Sequence, residues 1–391
     1  MRSGKLFAPP VLRTGKERER HATWLELFYD LVFVAAVAQL ASALFADYTY
    51  PGMLRFCLLM VPVWWAWVGH TFYLTRFDTD DVGHQLLTMV QMIAVASLAV
   101  NVSRALGPAS REFALSYAAI RGILVAEYLR AGRHVPAARP LTNRYAAGFG
   151  IAAALWLLSV ALPPPYRFGL WGVGIVIDFL TPLTGGSIHV RFPPHHMHLP
   201  ERFGLFVIIV IGEGVAGVVT GEGMGGLSPV SAISGVMGLI IAFALWWGYF
   251  EGARGAANRV VRSFEQVGRY QLWLYAHLPL VMGITATAVG VRRIIALAPF
   301  EPLPPPGAVL VSGAVGASCL SLAGLFIAAY PARRSREMRR FLVPYYVIAL
   351  LGLATGVAGN SLPGVALLAV MMVLSIAQIA FSLRAIPQGE G

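Results

Sequence analysis

The chain has 391 residues, of which 57% are hydrophobic and 13% charged, whereas a soluble domain carries about 25% charged residues. Its net charge of +11 does not point to nucleic acid, because the basic residues fall in short joints between long apolar blocks. With a mean hydropathy of +0.67, that pattern belongs to a membrane bundle. Arginine makes up 28 of the 30 basic residues, the exceptions being Lys5 and Lys16, which reads as codon usage in a GC-rich genome.

The first segment, 1–22, is basic, but the apolar block behind it opens with Glu26 and Asp30. A cleavable signal peptide would not begin its core with two acids, so this segment reads as retained. Stretches of about 20 apolar residues predict spans at 24–45, 53–73, 85–102, 112–130, 145–162 and 166–184. Pro182 with Gly185 and Gly186 ends the sixth, and a His- and Pro-rich cytoplasmic linker follows at 185–200. A second set falls at 202–220, 230–250, 271–290, 308–330, 343–359 and 364–383, with a short tail at 385–391. The expected fold is therefore all-α: a polytopic transmembrane bundle of about 12 spans, in two six-helix repeats at 23–184 and 201–384. Cys57 and Cys319 lie inside apolar segments, which predicts neither a disulfide nor a thiolate metal site.

With the N-terminus inside, the cytoplasmic segments hold 23 basic residues and the external joints hold 5: Arg104, Arg111, Arg167, Arg292 and Arg293. Arg55 and Arg121 lie within spans. The positive-inside bias places both termini in the cytoplasm of a multi-pass cell-membrane protein. The arginines at 333, 334, 336, 339 and 340 suit contact with anionic lipid, though a topology signal alone would explain them. Trp64, Trp65, Trp67, Trp246 and Trp247 read as core or interfacial-belt packing.

The two halves repeat each other. Arg76-Phe77 followed by His84 and Met89 matches Arg269-Tyr270 followed by His277 and Met282 at every step. Tyr145 to Leu162-Pro163 matches Tyr345 to Leu362-Pro363, which sets Asp178 opposite Gln378. Glu26-Leu-Phe28 aligns with Glu201-Arg-Phe203, and Trp64-Trp65 with Trp246-Trp247. Halves of six spans each have the same orientation, an arrangement common among transporters and channels.

Ionisable groups within a bilayer are costly and mark a function or a partner. Glu26 and Asp30, four apart, share one face of the first span, with Asp30 roughly 6 Å deeper. They could bind a cation or relay a proton, or be neutralised by Arg20, Arg202 or His198. Glu213, between Gly212 and Gly214, falls near the bilayer centre and is the foremost site candidate. Its flanking glycines let another backbone or an ion approach, the alternative being a helix-helix hydrogen bond. Asp178 is also intramembrane. Arg121 and Glu127, six apart on the fourth span, do not face each other, so each needs a partner on another helix. His70, His84 and His277 can change protonation near neutral pH, but read first as ordinary hydrogen-bonded histidines.

The linker holds His189, His195, His196, Met197 and His198 without cysteine or His-x3-His spacing, so it reads first as a joint that seats the seventh span, with a site for Zn, Ni or Cu as the weaker alternative. No phosphate-binding loop, nucleophile elbow or His-Glu-x2-His motif occurs, and no cofactor or catalytic residue is expected.

Two segments carry a family resemblance. Residues 20–34, with Trp24, Glu26, Phe28, Asp30 and Phe33, resemble the opening signature of the bacterial low temperature requirement protein A family. Residues 198–213, with His198, Glu201, Arg202, Phe203, Gly204, Gly212 and Glu213, resemble its second signature. The resemblance implies a multi-pass membrane protein whose family name reports a growth phenotype, not a reaction. Phe28-Tyr29-Asp30 is also similar to the Phe-Ser-Asp of two-repeat potassium channels, but the second half has Phe203-Gly204-Leu205, without the acid. The major facilitator pattern is disfavoured, since the joint after the second span reads Arg76-Phe-Asp78-Thr-Asp80-Asp81, acidic where that family is basic. The leading expectation is an ion-coupled transporter or cation pathway using Glu26, Asp30, Asp178 and Glu213. A membrane-bound enzyme or lipid-related factor and a non-transporting scaffold or sensor are the alternatives. Substrate and oligomeric state stay open.

Overall fold

Away from water, a backbone segment must satisfy its own N–H and C=O groups, and a helix does this within one segment. The computed structural model describes residues 8–13, 22–79, 81–195, 197–219, 229–251, 264–296, 302–329, 335–358 and 362–385, and these are overwhelmingly helical. The helices are α1 (Trp24–Ala46), α2 (Tyr50–Arg76), α3 (Val82–Val102), α4 (Ser110–His134), α5 (Arg139–Ser159) and α6 (Tyr166–Leu183). They continue with the short α7 (Gly186–Arg191), then α8 (His198–Val219), α9 (Pro229–Phe250), α10 (Phe264–Ala296), α11 (Pro305–Ala329), α12 (Ser335–Ala358) and α13 (Gly364–Ala385). A two-residue strand β1 (Val11–Leu12) pairs antiparallel with β2 (Phe77–Asp78), setting Val11 opposite Asp78.

Among the described residues, 8 helices are long and apolar enough to cross a membrane by length and composition: α1, α2, α3, α8, α9, α10, α11 and α13. In α12 a shorter apolar run covers Leu342–Ala358. Helices α4, α5 and α6, with 25, 21 and 18 residues, have the length and fall short on composition. Their charged residues include Arg121, Glu127, Arg144, Arg167 and Asp178.

The sequence did not announce β1 and β2, and α7 gives the linker a turn and a half of helix. α10 runs well beyond the apolar stretch 271–290, because once a helix is nucleated each added residue gains a backbone hydrogen bond without needing an apolar side chain.

The described residues form two compact units. The first comprises those within Met1–Leu40, Leu58–Leu205 and Asn258–Gly268, the second those within Ala41–Cys57, Phe206–Ala257 and Arg269–Gly391. In the first, α4 packs along α3 and α5, and α5 along α6. Tyr73, Phe77, Tyr128, Tyr145, Phe149 and Phe192, with Leu124 among them, form a buried, largely aromatic core cluster. Trp64, Trp65 and Trp67 are at most 1% exposed, so they pack the core and are not interfacial anchors. Arg167 folds back onto the end of α5, donating to the carbonyls of Ser159 at 3.1 Å and Leu162 at 2.7 Å, which satisfies groups a helix end leaves unpaired.

In the second unit α12 packs along α11 and α13, and α13 along α9. The α11–α12 approach depends on glycine: a Cβ at Gly352 would lie 2.9 Å from the Ser312 carbonyl oxygen. Small residues at such crossings let backbones pack closely where apolar burial gives little drive. Both cysteines are free thiols, Cys57 exposed and Cys319 buried.

Candidate functional site

Each of three buried clusters in the first unit gathers charge from residues far apart in sequence. In the first, Glu26 and Asp30 stand one turn apart on α1, and His198 and Arg202 stand one turn apart on α8. Matching i, i+4 pairs put two acids opposite two bases. His198 Nε2 lies 2.8 Å from Glu26 Oε2. Arg202 bridges both acids, with Nη1 3.1 Å from Glu26 Oε2 and Nη2 donating to Asp30 Oδ1 at 2.6 Å. Trp67 Nε1 donates to the same Asp30 oxygen at 2.7 Å. Glu26, Asp30, His198 and Arg202 are all buried, so each charge relies on its partners in place of water. At the start of α8 the His198 backbone N–H donates to His195 Nδ1 at 3.2 Å. Trp24, at the head of α1, is 87% exposed, and Glu201 is half-buried in the first turn of α8.

In the second cluster Glu127 of α4 receives two histidines from other helices. His84 Nδ1 of α3 is 3.0 Å from Oε1, and His70 Nδ1 of α2 is 3.5 Å from Oε2. The His70 ring lies 4.2 Å from the Tyr29 ring, centroid to centroid. A cavity of about 220 Å³ borders this cluster and the first, lined by Glu26, Tyr29, His70, Thr79, His84 and Thr88 among others.

The third cluster joins α4 to α6. Arg121 Nη2 lies 3.0 Å from Asp178 Oδ2, and the Tyr117 hydroxyl donates to that oxygen at 2.6 Å. Arg121 also donates to the Tyr117 oxygen from Nε at 3.1 Å and stacks over the Phe149 ring at 4.9 Å. Arg121 and Glu127 thus take separate partners on other helices, as their spacing requires.

In the second unit His277 is buried between the Tyr249 hydroxyl, 3.0 Å from Nε2, and the Trp273 carbonyl, 2.7 Å from Nδ1. Cys319 Sγ donates to Gln378 Oε1 at 3.7 Å. Glu213 is half-buried on α8, and no ion pair to it is found among the described residues. A Cβ at its neighbour Gly214 would come within 2.9 Å of the Ala288 Cβ, while one at Gly212 would meet nothing within 4 Å.

Of the described linker histidines, His189 has a task apart from that of His195 and His198. Arg76, at the end of α2, donates from Nη2 to His189 Nδ1 at 3.1 Å and from Nε to the Phe192 carbonyl at 3.1 Å. His189 Nε2 then donates to the Pro182 carbonyl at 2.9 Å. Burial, reinforced by the Arg76 guanidinium, pushes the His189 pKa down from 6.5 to about 4. No group of three or more His, Cys, Asp or Glu able to hold a metal occurs among the described residues; His196 lies outside them.

The family model described as bacterial low temperature requirement A protein (LtrA) matches residues 21–376. The chain belongs to the LtrA family. A relative, the uncharacterized protein RA0937 of Rhizobium meliloti (strain 1021), is 29% identical over 298 residues, covering 71% of this chain and 71% of that protein. No solved structure matches. The apolar helices and the family together identify a bacterial membrane protein.

Of the site residues expected from sequence, this LtrA protein brings Glu26, Asp30, His198 and Arg202 together, and His84 to the same cavity. Asp178 joins Arg121 instead, and Glu213 and His277 lie in the second unit. Sequence reasoning did not find the convergence of His70 and His84 on Glu127. The nearest base in the chain, Arg130, turns away to Asp81 at 2.7 Å. The available signal was an acid on an apolar helix, with two histidines on the two helices before it.

Proposed function

We propose that this LtrA-family protein moves an ion, or a small solute coupled to an ion, across the cell membrane, with its intramembrane carboxylates in or beside the path. The observation that carries this reading is the cavity of about 220 Å³ lined by Glu26, His70 and His84 within helices apolar enough to span a bilayer. A scaffold needs paired charges for locking, but it has no use for a cavity bordered by ionisable groups. Glu26, Asp30, Asp178 and Glu213 are the proposed path residues, with Trp24, His198, Glu201, Arg202, His84 and His277 in support.

The reading includes twelve spans in two six-helix halves of equal orientation, with both termini cytoplasmic. Its support is that α4, α5 and α6 fall short on composition while Arg121, Glu127, Arg167 and Asp178 are all buried. A helix whose charges are paired inside a bundle can present an apolar face to lipid. The halves also correspond in one polar contact, since Asp178 of α6 meets α4 and its counterpart Gln378 of α13 meets α11.

Purified protein in liposomes, with imposed H⁺, K⁺ or Na⁺ gradients and a fluorescent ion reporter, tests the reading. Flux should be present, and Glu26→Gln, Asp30→Asn and Glu213→Gln should reduce it at least about tenfold, the effect of roughly 1.4 kcal/mol at a barrier. Wild-type-like flux in all three folded variants would remove the carboxylates from the path.

A further inference from the structure

Glu127 differs from the other carboxylates buried in the first unit. Glu26, Asp30 and Asp178 each meet an arginine; among the described residues Glu127 meets imidazoles alone, at 3.0 and 3.5 Å. Arginine stays charged at any pH the protein meets. Imidazole does not, so the charge of the Glu127 cluster follows the proton supply. His70 is 0% exposed, and among the described residues neither of its ring nitrogens makes a hydrogen bond, Nδ1 being the one that lies 3.5 Å from Glu127 Oε2. Among the described residues the hydroxyls of Tyr29, whose ring lies against His70, and of Thr79 are also without a hydrogen bond. All three residues line the cavity of about 220 Å³, a polar space with room for several water molecules.

We infer that His70, Glu127 and His84 form a proton-binding site that loads from this cavity. With both rings neutral and a hydrogen on each Nδ1, 3.0 and 3.5 Å from the carboxylate oxygens, the cluster carries one negative charge. A proton from cavity water bonds to the His70 Nε2 lone pair. The Nδ1–H bond of that ring then breaks toward Glu127 Oε2, which gains the proton, and the cluster becomes neutral. The three groups share the proton as one unit, so its titration belongs to the set and not to any single residue.

Among the described residues, the ionisable groups around the cluster and its cavity include Glu26, Tyr29 and Asp30 from α1, Tyr73 from α2, Arg121, Tyr128 and Arg130 from α4, Arg202 from α8, and Arg13 and Asp81. The arginines are held by carboxylates, Arg13 by Asp78, Arg121 by Asp178, Arg130 by Asp81 and Arg202 by the Glu26–Asp30 pair, which leaves the variable charge to the histidines, His198 beside Glu26 and the two on Glu127. As the site of a coupling ion the cluster rests on the transport reading; as a proton-binding site it stands without it.

Infrared difference spectra of the full chain in lipid, between about pH 5 and pH 8 where histidine changes charge, test the inference. The wild type should show carboxyl and imidazole bands that Glu127→Gln and His70→Gln each abolish together. Wild-type bands persisting in Glu127→Gln would overturn the site. If those variants fail to fold, ring-¹⁵N-histidine NMR of the wild type decides: two buried histidines shifting together over one pH interval support the site, and none shifting overturns it. Bands that vanish as expected from a protein without ion flux keep the proton site and sink the transport reading. Flux alongside bands unchanged in Glu127→Gln does the reverse.

Discussion

Arg202 serves two carboxylates at once, and this sharing governs how the residue scale responds to change. Removing its guanidinium takes an ion-pair partner from Glu26, which keeps His198, and from Asp30, which keeps the Trp67 N–H, both acids being buried. Taking one partner from a buried pair costs about 3 to 5 kcal/mol. Arg202→Ala should therefore lower the unfolding transition in detergent by several degrees, and an unchanged transition would show that water reaches the acids. Part of this cluster was readable in the sequence: each i, i+4 pair follows from helix periodicity. Their meeting was not, because 172 residues separate Asp30 from Arg202 and tertiary packing alone sets the register. Glu127 was harder, since a base three residues along its own helix goes to another acid.

At the scale of elements, close helix approach and the seating of α7 govern stability. A Cβ at Gly148 on α5 would overlap the Thr181 side chain on α6, while one at Gly172 would meet nothing within 4 Å. Gly148→Val should destabilise by about 1 to 3 kcal/mol through overpacking. Gly172→Ala should be neutral or stabilising by up to about 1 kcal/mol, since glycine weakens a helix interior. Thermal melts of the two variants would separate them, and equal melts would contradict the α5–α6 packing. The α7 joint predicts an acid dependence. His189 is neutral when folded, its Nδ1 facing Arg76, and its pKa falls from 6.5 to about 4. Above about pH 6.5 the folded and unfolded chains bind the same proton number here, and the contribution is complete. It is lost as pH falls through about 4. His189→Asn, whose Oδ1 can accept the Arg76 N–H, should show a shallower acid decline of the melting temperature, and an identical decline would remove His189 from it. Helix positions were largely readable from apolar stretches; α7, β1 and β2 were not, being held by side chains such as Arg76 that act across long sequence distances.

For the whole molecule, composition and apolar periodicity sufficed for an all-α membrane bundle, and two signatures sufficed for the LtrA family. Activity was not readable in the same way, because it depends on which buried charges converge and which stay variable. Glu26, Asp30 and Asp178 each meet an arginine, and Glu26 also borders the cavity, as do His70 and His84, the partners of Glu127. The most direct test of transport is charge movement recorded on a solid-supported membrane carrying proteoliposomes of the folded protein, under H⁺, K⁺ and Na⁺ gradients in turn. A transient current for at least one cation, strongly reduced in Glu26→Gln, is the predicted result. Silence under all three gradients would contradict ion movement through this protein.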